Sequence, residues 1–353
     1  MRLVCLPKIA IIMDKPIGSF GKQVVGFYGF LGAINLAGWA WAFIAFRDNP
    51  VLLGTALIAY TFGLRHAADA DHIAAIDNVT RKLMQEGKRP IALGFYFSLG
   101  HSTVVLLASL VVYLAASALQ SRFSAFKEIG SVVGTSVSAI FLFGIALVNV
   151  FILGSVYRAF QKVRDGGSYD RQDVEALVGQ GGGFAGRIFR PLFKLPSRSW
   201  HMYPVGFLFG LGFDTATEVA ILGLSAAAAS KGLSIGSMMV FPVLFTAGMT
   251  LVDTTDGILM IGAYGWAFVK PIRKLYYNMT LTFVSVVMAL AIGGVEIIGL
   301  VREKLQLSGG AWDFFGHLND NFGSVGFVVI GLFILSWIGS MVLYRWKGFD
   351  RLG

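Results

Sequence analysis

The chain has 353 residues, 56% of them hydrophobic and only 14% charged, and its mean hydropathy is +0.70. These values exclude an ordinary water-soluble domain, in which about 25% of residues are charged. The formal net charge is +9, but the basic residues lie in short clusters between apolar runs, so nucleic acid is not a predicted partner.

Apolar runs bounded by charged residues predict eight membrane spans. In chain order they cover residues 24–46, 51–79, 91–117, 130–157, 203–229, 234–268, 277–300 and 324–344. The second and sixth spans are longer than a bilayer requires, which predicts a tilt, a break or a continuation into a cytoplasmic helix. We therefore expect an all-α membrane protein with a single polytopic domain over residues 1–353.

The basic residues also predict the orientation of the chain. Of the 29 Lys and Arg residues, 22 fall in the two terminal segments and in alternate loops, including the loop 158–202. Because cytoplasmic loops carry an excess of Lys and Arg, we expect both termini and the 158–202 loop in the cytoplasm. The expected location is the bacterial cytoplasmic (inner) membrane.

A weak internal repeat relates the two halves of the chain. YTFGLRHA in the second span resembles GFLFGLGFDTA in the fifth, and FSLGHSTVV in the third resembles FTAGMTLVD in the sixth, at offsets of 147 and 148 residues. The second and fifth spans run in opposite directions in the predicted topology. The pattern predicts that spans 2–4 and 5–7 form an inverted repeat, as in many secondary transporters, although Gly- and Phe-rich spans can also match by chance.

The second span contains the densest group of polar residues. In GLRHAADADHIAAIDN, residues 63–78, His66, Asp69, Asp71 and His72 lie in a segment otherwise apolar enough to cross a membrane. Ionised carboxylates near the bilayer centre cost several kcal/mol unless they are paired, so this group predicts a bound cation. A single histidine in such a place is more often a core residue or a hydrogen-bonding partner between helices. The spacing of these four residues places them on two faces of a regular helix, unless the helix is locally distorted.

Three later spans carry further polar residues that we expect along the pathway or around the metal ligands. They are His101 in the third span, Asp214 and Glu218 in the fifth, and Asp253 and Asp256 in the sixth. Asp253 and Asp256 could alternatively cap a helix at the membrane surface. The single cysteine, Cys5, excludes a multi-thiolate site, so any metal must be bound by nitrogen and oxygen. Imidazole together with carboxylate favours a transition metal over Mg²⁺ or Ca²⁺.

At these residues the chain resembles the nickel/cobalt transporter family. The resemblance rests on RHAADADHI at 65–73, LGHSTVV at 99–105, LGFDTATE at 211–218 and GMTLVDTTDG at 248–257, in the family's order. It implies an eight-span uptake permease for Ni²⁺ or Co²⁺ that needs His66, Asp69, Asp71 and His72. Ala68 stands where the family commonly has valine or phenylalanine, and the metal preference stays open.

Two other functions remain possible at this stage. An intramembrane zinc hydrolase would use the same residue types, but the chain has no HExxH motif. The second alternative is a metal sensor, which would bind the ion without transporting it. The resemblance implies that no ATPase subunit is needed, and the chain itself contains no P-loop. We expect no cofactor besides the transported cation. The bilayer and a divalent cation are the expected partners.

Overall fold

The computed structural model describes residues 17–114, 123–164, 196–211, 216–267 and 271–346. Asp214, both terminal segments and most of the 158–202 loop lie outside the described residues. Within the described ranges all regular structure is helical. The α-helices are α1 Ile17–Phe46, α2 Pro50–His66, α3 Ala70–Gln85, α4 Leu93–Leu114, α5 Phe123–Arg164, α6 Met202–Gly210, α7 Ala216–Ser230, α8 Ile235–Ala267, α9 Pro271–Leu305, α10 Ala311–Asp320 and α11 Phe322–Trp346.

Helix length and composition confirm an all-α membrane protein. Five helices, α1, α4, α5, α8 and α9, are long and apolar enough to cross a bilayer alone. Two bent pairs, α2 with α3 and α10 with α11, meet the same criterion when each pair is taken as one span. The predicted fifth span corresponds to α6, which ends at Gly210, and α7, which begins at Ala216. The count of eight spans stays a prediction.

The second predicted span is broken in its middle. α2 ends at His66, α3 begins at Ala70, and the two helices meet at an angle of 51°. Asp69 is the N-cap of α3 and has an extended backbone, with φ −66° and ψ 146°. A Cβ on Gly326 of α11 would overlap the carbonyl oxygen of Ala68, so glycine is needed where α11 packs against the break. α8, which covers the other long span, is continuous despite Pro242.

Glycines bring α2 and α8 into close contact. A Cβ on Gly63 of α2 would overlap the carbonyl oxygen of Phe245 in α8. A Cβ on Gly248 of α8 would lie 2.7 Å from the carbonyl oxygen of Tyr60 in α2. Small residues at helix crossings allow this backbone approach in membranes, where packing contacts replace the hydrophobic effect between helices.

The crossing of α4 and α6 has the same construction. A Cβ on Gly206 of α6 would overlap the carbonyl oxygen of Phe97 in α4, and one on Gly100 of α4 would overlap the carbonyl oxygen of Tyr203 in α6. The two crossings hold α8 against α2 and α4 against α6. The break between α2 and α3 lies inside the bundle, because residues 67–70 are buried.

α3 is polar in sequence but enclosed by the protein. Its residues from His72 to Met84 are buried, although α3 includes charged side chains such as Asp77 and Arg81. Arg81 and Lys82 are two of the 22 basic residues assigned to the cytoplasmic side, yet α3 extends to Gln85 and both side chains are buried. Apolar side chains on α1 and α5, by contrast, face outward, as Ile44 and Ile140 do with exposures of 76% and 71%. That outer surface suits lipid.

Candidate metal site

Three histidines from three helices meet inside the bundle. His66 is the last residue of α2, His72 lies in the first turns of α3, and His101 lies in α4. One ring nitrogen from each lies within 4.8 Å of the corresponding nitrogen in the other two, and all three side chains are buried. The break between α2 and α3 brings His66 and His72 together, with 4.7 Å between their ring centroids.

His66 is held by a carboxylate on one side and faces the cluster on the other. Its Nδ1 lies 2.8 Å from Oδ2 of Asp69, and its Nε2 lies 2.9 Å from Nε2 of His101. An ionised Asp69 only accepts hydrogen bonds, so it favours the tautomer with the proton on Nδ1. The lone pair of Nε2 then points into the cluster. Thr217 Oγ1 lies 3.4 Å from the same Nδ1.

His72 has the same arrangement with a carboxylate from α8. Its Nδ1 lies 3.2 Å from Oδ2 of Asp253, and Ser98 donates a 2.5 Å hydrogen bond to that oxygen. Its buried Nε2 has no hydrogen-bond partner among the described residues. Carboxylates behind metal-binding imidazoles commonly fix the tautomer and the ring orientation. Asp69 and Asp253 are placed to do this for His66 and His72.

His101 shares one nitrogen between the cluster and a carboxylate from α7. Its Nε2 lies 2.8 Å from Oε1 of Glu218 and also faces His66. Its buried Nδ1 has no partner within the described ranges. Glu218 Oε1 lies 4.0 Å from His66 Nε2, so this carboxylate reaches the cluster itself.

Of the other residues predicted for the site, Asp71 and Asp256 are described by the structure. Asp71 is half-buried in the first turn of α3 and interacts electrostatically with His101. Asp256 lies one turn beyond Asp253 in α8, on the side of α3. Asp214 falls outside the described residues. Arg65, whose side chain is exposed, is not part of the cluster.

Aromatic rings close the cluster from two sides. Phe97 meets His72 edge to face at 4.8 Å between centroids, and Phe245 lies 5.5 Å from His66. Both phenylalanines are buried and belong to the helices that make the glycine crossings. They exclude water from the rings and limit the directions from which an ion can enter.

The arrangement suits a divalent transition metal. Two nitrogens bound at right angles to one ion at about 2.1 Å, the usual metal–imidazole distance, are about 3 Å apart, and the Nε2 atoms of His66 and His101 are 2.9 Å apart. The carboxylates of Asp69, Glu218 and Asp253 offset the charge of a dication, which must recover its hydration energy from the protein.

Two contributors escaped sequence reasoning. Ser98 precedes His101 by one helical turn, so that spacing could have placed it on the same face of α4. Thr217 precedes Glu218 in the sequence, but that position alone does not predict its contact with His66. The closeness of His101 to His66 depends on how α4 packs against α2 and α3, and no local pattern encodes that packing.

Comparisons with known proteins show the family of the chain. Residues 52–343 match the NicO family, described as high-affinity nickel-transport protein. The chain is 58% identical to a high-affinity nickel transport protein of Cupriavidus necator over 97% of both chains. It is 43% identical to the nickel transporter NixA of Staphylococcus aureus, over 88% of this chain and 91% of the relative.

A relative named for another metal is also similar. The cobalt transport protein NhlF of Rhodococcus rhodochrous is 37% identical over 92% of this chain and 93% of the relative. No solved structure matches the chain. The family match covers most of the chain, including all three clustered histidines. The chain therefore belongs to the NicO family of high-affinity nickel-transport proteins.

Proposed function

We propose that this protein takes up Ni²⁺ across the cytoplasmic membrane and binds it in transit at His66, His72 and His101. The cluster of three buried imidazoles, backed by carboxylates, is the observation that carries the proposal. Asp69 and Asp253 orient two of the rings, and Glu218 completes or neutralises the site. Asp71 lies in the first turn of α3 beside His72, and Asp214 and Asp256 belong to the pathway.

The relatives' names support nickel as the principal cargo. Two of the relatives compared above are named for nickel, and one is named for cobalt. Nickel and cobalt are neighbours in the order of divalent metal affinities, and both accept imidazole and carboxylate ligands. We therefore include Co²⁺ as a second substrate of the same site.

The chain is a multi-pass membrane transporter and not an enzyme, since the family and its relatives are nickel transporters. This removes the zinc hydrolase alternative. We propose that ion gradients drive uptake without an ATPase subunit. A membrane potential contributes about 2.3 kcal/mol per charge per 100 mV, so an inward-moving dication gains about twice that. The excess of Lys and Arg supports cytoplasmic termini and a cytoplasmic 158–202 loop.

Metal flux into proteoliposomes tests the proposal. Purified protein is reconstituted, an inside-negative potential is imposed, and entry of labelled Ni²⁺ is followed, with unlabelled Co²⁺, Zn²⁺ and Mg²⁺ as competitors. We expect uptake that depends on the potential and is inhibited by Co²⁺ far more than by Mg²⁺. A His66→Ala, His72→Ala double variant should show no uptake at trace Ni²⁺. Binding without flux in the intact protein would indicate a sensor instead.

A further inference from the structure

Two phenylalanines lie at opposite ends of the histidine cluster. Along the broken second span, His66 precedes the break and His72 follows it. Phe245 of α8 lies against His66, with 5.5 Å between ring centroids, and Phe97 of α4 meets His72 edge to face at 4.8 Å. Both phenylalanines have 0% exposure. The order of the four rings through the bundle is therefore Phe245, His66, His72 and Phe97.

Each phenylalanine belongs to a different apolar cluster. Phe245 is part of a buried cluster built mainly from α2, α7 and α8, which we call the first apolar cluster. Phe97 is part of a second apolar cluster, built mainly from α3, α4 and α6. The histidines contact both clusters through these two rings. An apolar constriction excludes water and hydrated ions, so the site is closed on both sides while the two rings stay in place.

Phe97 and Phe245 also hold equivalent places in the two halves of the chain. The sequence alignment at an offset of 148 residues pairs them directly. Their carbonyl oxygens make equivalent contacts, because that of Phe97 faces Gly206 of α6 and that of Phe245 faces Gly63 of α2. In the predicted topology α2 is the outer half of the second span, and α6 is the inner half of the fifth. Phe245 would then lie toward the outside and Phe97 toward the cytoplasm.

We propose that Phe245 and Phe97 are the outer and inner gates of the metal site, and that transport opens them in turn. The proposal rests on the transport function above and deepens it. Transporters built from inverted repeats expose a central site to one side at a time, and equivalent parts of the two repeats exchange roles. Movement of one ring away from its histidine would admit water and the hydrated ion from that side alone. The other ring would keep the far side closed.

Thiol labelling from one side at a time distinguishes the two gates. In a Cys5→Ser background, His101→Cys places a thiol in the cluster, and a small, cationic, membrane-impermeant thiol reagent is added to intact cells or to inverted membrane vesicles. We expect slow reaction from either side while both gates are present. Adding Phe245→Ala leaves a cavity and should speed the reaction in intact cells only, by about tenfold or more. Adding Phe97→Ala should do so in inverted vesicles only.

Milder variants and Ni²⁺ binding separate gating from misfolding. Phe245→Leu and Phe97→Leu remove less volume, so each should speed the reaction on the same side as its alanine variant, but by less. With all three histidines present, the alanine variants should still bind Ni²⁺, which shows that they are folded. Their Ni²⁺ uptake should fall, because a site that cannot be closed on one side loses its cargo there.

Two other core phenylalanines provide matched controls. Phe46 stacks on Phe241 within the first apolar cluster, and Phe209 packs edge to face on Phe97 within the second. Phe46→Ala and Phe209→Ala remove the same volume as the gate variants. Both should leave the reaction rates near those of the parent, because the rings against His66 and His72 remain.

Three results would overturn the proposal: opening to the same side in both gate variants, equal acceleration in the controls, or no acceleration in folded protein. Acceleration on exchanged sides would support two gates and reverse the orientation of the chain. The histidine site is tested separately. If the gates fail, loss of Ni²⁺ uptake in the His66→Ala, His72→Ala variant would still support that site.

Discussion

A buried hydrogen bond with Asp69 helps to orient the imidazole of His66. Since Asp69 is the N-cap of α3 but makes no cap hydrogen bond with its side chain, the carboxylate is committed to the imidazole. His72 depends on Asp253 in the same way. At the scale of the residue, the site is a set of rings, each held by a carboxylate that need not bind the metal itself.

Removing the carboxylate behind His66 should weaken metal binding without removing a ligand. Asp69→Ala frees the tautomer and rotation of the ring, and we expect Ni²⁺ affinity to fall by about 10–100-fold. Asp69→Asn keeps an acceptor oxygen and should cost less. Labelled Ni²⁺ uptake at trace and at saturating concentrations measures both, and the exposed Asp48→Ala provides the control. Equal losses in the two Asp69 variants would argue that its charge, not its hydrogen bond, matters.

His101 should be as important as His66. If its imidazole is a ligand, His101→Ala removes one of three nitrogen donors, and uptake at trace Ni²⁺ should fall to background. His201 is a matched control, because it lies outside the cluster and accepts a hydrogen bond from the backbone of Ser197. Its alanine variant should transport normally. Substantial uptake by a well-expressed His101→Ala protein would place His101 outside the ligand set.

Sequence spacing predicted part of this site for physical reasons. His66, Asp69 and His72 are close in the chain, so any compact local structure keeps them together, and their spacing predicted either the use of two helix faces or a local distortion. His101, Glu218 and Asp253 come from separate helices, and their distances depend on helix packing. The residue types in those spans indicated a polar pathway, but they could not show which side chains reach the histidines.

At the scale of the helix, the break between α2 and α3 creates the site. The C-terminus of α2 presents the negative end of its helix dipole to the cluster, which favours a cation. The N-terminus of α3 has the opposite dipole, and Asp69 at its N-cap and Asp71 in its first turn offset it. The length of the apolar run predicted a long span here, whereas the exact place of the break required the structure.

The glycine crossings should tolerate no side chain. Gly63→Ala forces a methyl group onto the backbone of Phe245, and such overpacking costs about 1–3 kcal/mol. Gly54 lies in the same helix with nothing within 4 Å of its Cβ position, so Gly54→Ala is the matched control. Thermal unfolding in detergent should show a lower midpoint for Gly63→Ala only. Equal midpoints would mean that α2 and α8 do not cross closely at Gly63.

At the scale of the whole molecule, the two crossings support the predicted inverted repeat. α2 crosses α8 at Gly63 and Gly248, and α6 crosses α4 at Gly206 and Gly100. A two-fold axis that relates spans 2–4 to spans 5–7 would exchange these two crossings. In these contacts Gly63 corresponds to Gly206. The sequence alignment at an offset of 147 residues pairs Gly63 with Gly210 instead, one helical turn away. The repeat stays a prediction. Sequence similarity between glycine-rich segments could not determine which glycines of the two halves correspond.

The orientation in the membrane can be tested by cysteine labelling. In a Cys5→Ser background, Ser168→Cys should react only after the membrane is permeabilised, because the 158–202 loop is predicted to be cytoplasmic. Ser308→Cys, in the exposed connection between α9 and α10, should react in intact cells with an impermeant reagent. Modification of Ser168→Cys in intact cells would reverse the assignment.

X-ray absorption at the nickel edge tests the central claim most directly. Imidazole rings bound to nickel give a distinctive scattering pattern whose amplitude reports their number. For purified protein loaded with one Ni²⁺ per chain, the account predicts imidazole ligation by the three clustered histidines, and one ring fewer in His101→Ala protein that still holds Ni²⁺. A nickel site with oxygen ligands alone, unchanged in that variant, would contradict it.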